Sequence, residues 1–364
     1  MISIEKVYIE NFKSHKNYSL YLDKKYKHIV IYGKNGVGKT NLLDSLSFFS
    51  NAKGLRGSSL EEILPKDKET DSFTKIKIKI QSIDNVYDFS LKIIKEDNKL
   101  KKKILLGDKK ISLADIKKHI KIIWLSPYMD KIMYEGQTLK RNFIDKMIIQ
   151  NDNSFNKIII SNKKDITERL HVLKNAKDEK WLDILEKKIA NDFYDIFVIR
   201  RQYAEEINNI ISSKLKNFRE VKIQYKNTLF KDLINKKDEL IDLFLKELKN
   251  KRELDEITKR TNFSINSDEI IILDKKNNIN TDACSTGEQK SSLLSIILAN
   301  CWKLKNSNKK FILLLDEATS HIDEPNFKKL FDEVDKFETQ IWYTGTNKNL
   351  FQVIENKGFF IHLQ

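Results

Sequence analysis

The sequence predicts an α/β nucleotide-binding fold whose two halves are separated along the chain by a helical insertion. Three observations carry this. Residues 33–40 read G-K-N-G-V-G-K-T, with the short apolar run His28–Tyr32 before them and the helical stripe Leu42, Leu43, Leu46 and Phe49 after them. Far downstream, the apolar run Phe311–Leu315 reads as a buried strand that ends in Asp316-Glu317. Between residues 126 and 254 the strand pattern gives way to helical stripes. The expected division is residues 1–125 as the first part of the nucleotide-binding head with an antiparallel lobe, 126–256 as a helical arm, and 257–364 as the second part of the head.

The loop comes first. Gly33, Gly36 and Gly38 put three of the chain's ten glycines into one turn. Glycine lets the backbone curl until successive N–H groups face phosphate oxygens, and the following helix adds the positive end of its dipole. The expected ATP-binding set is Gly33, Lys34, Asn35, Gly36, Val37, Gly38, Lys39 and Thr40. Lys39 is placed to reach the β- and γ-phosphates, and the Thr40 hydroxyl to hold Mg²⁺. Asp316 is the acidic partner of that Mg²⁺, and Glu317 is placed to orient or deprotonate an attacking water. Lys39 and Glu317 are thus the expected catalytic residues, and Thr40 and Asp316 the expected metal ligands.

Composition sets the bounds. At 364 residues the chain can bury a core large enough for two domains. No apolar run approaches a membrane span, and Glu5, Lys6 and Glu10 argue against a signal peptide. Cys284 and Cys301 are the only cysteines and lack zinc-type spacing, which fits a reducing cytoplasm. His119 and His171 stand apart from any metal-ligand cluster. The net charge of +15 permits nucleic acid as a partner. It argues weakly, because 59 lysines against eight arginines also fit A/T-rich coding bias.

The remaining elements follow in order. Residues 2–12 and 18–22 have strand character. Lys53-Gly54-Leu55-Arg56-Gly57 makes a turn, in which Arg56 reads equally as a contact to phosphate or DNA backbone and as an ordinary surface residue. Residues 73–80, F-T-K-I-K-I-K-I, alternate strictly, as do Tyr87, Phe89, Leu91 and Ile93. Glu96-Asp97-Asn98 then turns the chain back into residues 101–106, which makes an antiparallel sheet whose outer lysines read as a solvated face. Ser112 with Asp115 marks a helix start, and residues 122–125 a short strand. In the arm, Leu182, Leu185, Ile189, Phe193, Ile196, Tyr203, Ile207 and Ile210 form one helical stripe, and Leu240, Leu243, Phe244 and Leu248 another; both read as core. Strands are expected at 269–273, 340–344 and 359–363, and Pro325 opens a helix.

Ser285-Thr286-Gly287-Glu288-Gln289 begins 31 residues before Asp316 and opens a helix through Leu293, Leu294, Ile297, Leu298 and Trp302. Ser285 and Glu288 have capping-box spacing, and the helix start offers free N–H groups to an anion. The pentapeptide resembles the signature motif of ABC-type ATPases. That resemblance implies that Ser285, Thr286, Gly287, Glu288 and Gln289 meet the nucleotide held by a second protomer, so that ATP joins an ATP-dependent homodimer. It also places a D-loop at Ser320-His321-Ile322-Asp323, with Ser320 and Asp323 lining the same interface. Transporter ATPases keep loop and signature much closer, whereas this split resembles the SMC-like group that acts on DNA.

Within that group the chain resembles the RecF family over nearly its whole length. Leu125-Ser126-Pro127-Tyr128-Met129-Asp130, Lys140-Arg141-Asn142-Phe143-Ile144-Asp145, Asn11-Phe12 and Lys53-Gly54-Leu55-Arg56 carry the likeness. Two departures stand out. Thr261, Phe263 and Asp268 match a family element, but Ser264-Ile265-Asn266-Ser267 replaces its Gly-Pro-His-Arg. Thr344-Gly345-Thr346 stands where a switch histidine would fall, and no Q-loop glutamine is assignable. The resemblance implies an α/β, ABC-type P-loop ATPase head split in sequence, with an inserted α-helical arm. It implies a cytoplasmic ATP- and Mg²⁺-dependent protein binding single-stranded, gapped or junction DNA, with RecO/RecR-type partners, in replication, recombination and the SOS response. The rivals are an ATPase of another kind, such as a transporter subunit or nuclease partner, and a scaffold with structural ATP.

Overall fold

The computed structural model of the chain describes residues 1–50, 53–64, 73–82, 85–96, 99–175, 178–226, 236–267, 269–317 and 323–364. In chain order, the first elements are β1 (Ser3–Phe12), β2 (His15–Tyr21), β3 (His28–Tyr32), α1 (Lys39–Ser47), β4 (Phe73–Gln81), β5 (Val86–Glu96), β6 (Lys99–Leu106), β7 (Lys109–Lys110), α2 (Leu113–His119) and β8 (Lys121–Leu125). Next come α3 (Gln137–Asn151), α4 (Asn153–Asn175), α5 (Glu179–Lys214), β9 (Val221–Lys226), α6 (Lys237–Asn250) and α7 (Arg252–Thr258). The last are β10 (Glu269–Asp274), β11 (Ile279–Asn280), α8 (Thr286–Asn306), β12 (Phe311–Leu315), α9 (Glu324–Val334), β13 (Ile341–Gly345) and β14 (Gly358–His362). Two compact units result: Met1–Asp130 with Asn300–Gln364, and Lys131–Ala299.

The first unit holds two sheets. One is parallel, in the order β14-β3-β13-β12-β8; the other is antiparallel, in the order β2-β1-β4-β5-β6-β7. The parallel strands are short continuous apolar runs because both faces of such a sheet are covered. β12 is buried at every residue. The antiparallel strands alternate instead. Ile76, Ile78 and Ile80 of β4 turn inward, while Lys75, Lys77 and Lys79 turn out. One core joins both sheets through α1: Leu42, Leu43 and Leu46 pack with Ile29, Ile31, Ile78, Phe89, Leu91, Ile312 and Trp342. Ser112 caps α2 with the expected box, its hydroxyl accepting from the Asp115 N–H while the Asp115 carboxylate accepts from Ser112.

The second unit departs from the sequence reading. It is not purely helical, because β9 pairs antiparallel with β10, which pairs with β11. That pairing keeps residues 269–280 with the arm, so the unit runs to Ala299 where the sequence pointed to 256, and it begins at Lys131 where the sequence pointed to 126. α5 buries the expected stripe, except that Ile211 takes the inward place expected for Ile210. Phe193, Phe244 and Phe263 form an aromatic cluster with ring centroids 5.9–6.0 Å apart. Arg169 is fully buried and donates to Glu186 at 2.8 Å, to Asp255 at 2.6 Å and to the Leu248 carbonyl at 2.7 Å. Part of the expected turn, Asp97-Asn98, lies outside the described residues, as do Asp268 and Ser320. No helix among the described residues is long and apolar enough to cross a membrane.

Candidate nucleotide site

β3 leads straight into the loop at the C-terminal edge of the parallel sheet, where open α/β sheets take their ligands. Two of the glycines have a steric reason. At Gly33 (φ +152) an added Cβ would lie 2.2 Å from the Leu363 carbonyl oxygen. At Gly38 (φ +98) it would lie 2.8 Å from both the Ser14 hydroxyl and the His15 ring. Gly38 is the N-cap of α1, and its carbonyl accepts from the Leu42 N–H at 2.9 Å. His15 Nε2 sits 3.1 Å from the same carbonyl. Burial lowers the His15 pKa, with the Gly38 hydrogen bond opposing, so a neutral ring donates through Nε2. Lys34, Asn35 and Gly36 are exposed, and Val37 is half-buried.

Lys39 is buried, and its ammonium donates to the carbonyls of Gly33 and Lys34 at 2.7 Å each. Burial lowers its pKa, and the charges of Glu317 and Asp316 oppose that. Thr40 donates to Asp316 Oδ1 at 3.0 Å. Thr344, at the end of β13 between β3 and β12, donates to the same oxygen at 2.8 Å. The Thr344 hydroxyl also accepts from the Glu317 N–H at 2.7 Å. Burial raises the Asp316 pKa, and the hydrogen bonds from Thr344 and Thr40 pull it back. Glu317 is exposed, with φ +51. Three parallel strands thus bring Lys39, Thr40, Asp316 and Glu317 together, with Thr344 at the junction. The sequence reading took Thr344 only as the place where a histidine is missing. Its hydroxyl was invisible as a partner because 28 residues separate it from Asp316.

The donor set suits Mg²⁺. A hydroxyl and a carboxylate are hard oxygen ligands, and they meet here from two elements at hydrogen-bond distance. No group of three or more His, Cys, Asp or Glu able to hold a metal exists among the described residues, so phosphate oxygens and water would complete the shell.

Around the loop, further residues support it that sequence reasoning missed. Asp44 on α1 is fully buried, pairs with Lys13 at 2.6 Å and accepts from the Leu55 N–H at 2.8 Å. A carboxylate beside the apolar stripe of α1 was the available signal. Asn41 donates to the Ser14 hydroxyl at 2.8 Å and accepts from Arg56 at 3.2 Å, and Arg56 lies 5.2 Å over the Tyr128 ring.

In the second unit, the signature pentapeptide opens α8 as a capped helix. Glu288 Oε2 accepts from the Ser285 N–H at 2.9 Å and the Ser285 hydroxyl at 3.0 Å, and the Glu288 N–H donates to Ser285 Oγ at 3.4 Å. Ser285, Thr286 and Gly287 are exposed, and a Cβ at Gly287 would meet nothing within 4 Å. Gln289 is buried and donates to the Thr281 carbonyl at 3.1 Å. Asn266, within the divergent element, accepts from Arg200 at 3.3 Å, and Arg200 also forks onto Asp145 with two bonds of 2.8 Å. In the first unit, Asp323 caps α9, its carboxylate accepting from the Asn326 N–H at 3.0 Å.

The fold is that of an ABC-type P-loop ATPase head split in sequence. The family model for the RecF/RecN/SMC N terminal domain matches residues 3–129. The whole chain is similar to the DNA replication and repair protein RecF of Rickettsia typhi (29% identical, covering 100% of this chain and 99% of that protein). It is also similar to RecF of Rickettsia rickettsii strain Sheila Smith (27%, covering 100% and 99%). A solved structure of the recombination mediator protein RecF with ATP, of the RecFOR pathway, matches at TM-score 0.82 and 24% identity, covering 95% of this chain and 94% of that one. The Smc head domain of Pyrococcus furiosus with an extended coiled coil matches at TM-score 0.53 and 15% identity, covering 96% and 91%. The similarity to RecF proteins thus runs over nearly the whole chain.

Proposed function

We propose that this chain is an ATP-dependent DNA-binding recombination mediator of the RecF kind, acting in the cytoplasm in replication, recombinational repair and the SOS response. The observation that carries the reading is the meeting of Lys39, Thr40, Asp316 and Glu317 at one sheet edge, in a chain similar to RecF over its full length. ATP is held by the loop of residues 33–40, with Thr40 and Asp316 as the residues that would hold Mg²⁺. That ion supplies charge neutralisation at the β- and γ-phosphates. Lys39 adds a positive charge from the loop, which is favoured where phosphate charge builds up. Glu317 orients and deprotonates the attacking water. Ser285 and the N–H groups of Thr286 and Gly287 face the nucleotide of a second copy, with Asp323 lining the same interface, so ATP closes a homodimer on DNA. Slow hydrolysis, stimulated by DNA, reopens it. Single-stranded, gapped or junction DNA is the expected substrate, and RecO/RecR-type proteins are the expected partners.

Sedimentation with ATP and Mg²⁺, with and without gapped DNA, tests this. The wild type is expected to dimerise with ATP, Glu317→Gln to stay closed, and Lys39→Arg to remain monomeric. A monomer unchanged by ATP at micromolar concentrations would refute closure. An ATP-bound Glu317→Gln that behaves as the wild type would favour a scaffold.

A further inference from the structure

We infer that Arg219 is a positioning residue that ties the end of the long arm helix to the signature serine. This deepens the proposed function and rests on Ser285 meeting nucleotide in a closed dimer. α5 runs for 36 residues and ends at Lys214; after it the Phe218 N–H closes a turn on the Leu215 carbonyl at 2.9 Å, and Arg219 follows directly. Its guanidinium spans two carboxylates. Nε lies 2.8 Å from Asp274 Oδ1, at the fully buried end of β10, and Nη2 lies 2.9 Å from Glu288 Oε1. The other oxygen of Glu288 holds both the N–H and the hydroxyl of Ser285.

One side chain therefore links a buried anchor, the arm and the helix start that the signature occupies. Arginine suits this place because one planar cation faces both carboxylates at once, as an ion pair with Asp274 and a hydrogen bond to Glu288, whereas a lysine offers a point charge. The Glu288 carboxylate has rotamer freedom of its own at a half-exposed site, and the charge-assisted bond from Arg219 removes it. A displacement of the end of α5 moves Arg219, and with it the carboxylate that sets the Ser285 hydroxyl. Whatever binds the arm thus biases the signature, and by linkage closure on nucleotide biases the arm in return.

Two variants separate this from a structural role. Arg219→Lys keeps a positive charge beside Asp274. The double variant Arg219→Gln with Asp274→Asn leaves no buried charge unpaired at the anchor. In both, hydrogen–deuterium exchange at residues 285–290 of the monomer is expected to rise, and the ATP-dependent dimer to dissociate about tenfold more readily, as expected for loss of a hydrogen bond to a charged group. ATP affinity of the monomer and its thermal midpoint should stay at the wild-type values. Unchanged exchange at 285–290 in both variants overturns the inference whether or not the protein dimerises. Raised exchange with unchanged dimerisation overturns the link to closure. A wild type that never dimerises with ATP refutes the proposed function, and the exchange result still decides the role of Arg219.

Discussion

Thr344→Val removes one oxygen and keeps the side chain's shape, so it isolates what the hydroxyl does. In the wild type that hydroxyl donates to Asp316 Oδ1 at 2.8 Å and accepts from the Glu317 N–H at 2.7 Å. Glu317 is also held at φ +51, a region costing a non-glycine residue about 1–2 kcal/mol, and the bond to its N–H helps to keep it there. A hydrogen bond to a charged group is worth about 1.5–3 kcal/mol. If that stabilisation is lost from the transition state, hydrolysis slows roughly 10- to 100-fold, at ~1.4 kcal/mol per factor of ten. The Thr344 hydroxyl bonds Asp316 and Glu317, whereas Lys39 bonds the Gly33 and Lys34 carbonyls, so nucleotide affinity should hold within about twofold, since no uniform binding contact is removed. Thr344→Ser restores the hydroxyl and should restore most of kcat. Steady-state phosphate release with a parallel nucleotide-binding titration reads both quantities. A valine variant with the wild-type kcat would refute the argument, as would one whose whole loss lay in ATP binding.

Two stability predictions follow. His28 is buried, with Nε2 3.0 Å from Asp335 and Nδ1 2.9 Å from the Tyr343 hydroxyl; burial lowers its pKa to about 4, against the bond and charge of Asp335. A depressed folded-state value means the stabilisation is complete above the unfolded pKa of about 6.5 and is lost as pH falls towards 4, amounting to about 3 kcal/mol. Urea unfolding at pH 7.5 and 4.5 should show the gap between wild type and His28→Gln shrinking with acid; a constant gap would contradict the assignment. Arg169→Met leaves Asp255 buried beside Asn262 but without its cation, which should cost about 3–5 kcal/mol in urea unfolding. Adding Asp255→Asn should recover part of the loss.

What was legible in the sequence follows from how local each signal is. The phosphate loop, the apolar strands β3 and β12 and the capping boxes at Ser112 and Ser285 are each written within a few consecutive residues. β9 was missed because V-K-I-Q-Y-K offers six residues of alternation after a 36-residue helical stripe, and its partner β10 lies more than 40 residues on. The unit boundary moved with it, since strand pairing, not helical periodicity, decides which unit holds residues 269–280. Thr344, His15 and Asp44 carry no motif of their own. They matter because the sheet order β3-β13-β12 and the turn before β2 set them against the loop, and that order is a property of the fold.

Arginine usage adds to what composition shows. Coding bias towards lysine acts on every position alike, so an arginine persists most readily where a lysine cannot replace its geometry. Five of the eight arginines occupy such places. Arg169, Arg200 and Arg252 each fork onto two or more acceptors within the second unit, Arg219 bonds Glu288 and pairs with Asp274, and Arg56 lies over the Tyr128 ring while bonding Asn41. Lysines follow a different rule. On the outer rim of the antiparallel sheet, Lys101 and Lys103 pair with Glu96 at 3.2 and 2.5 Å, with all three groups solvent-accessible, where such pairs contribute little. The net charge of +15 stays a weak argument for a nucleic-acid partner, because coding bias also accounts for it. The few arginines say more about mechanism, because each sets a planar cation where several groups converge: beside the phosphate loop, in the arm, and behind the signature serine.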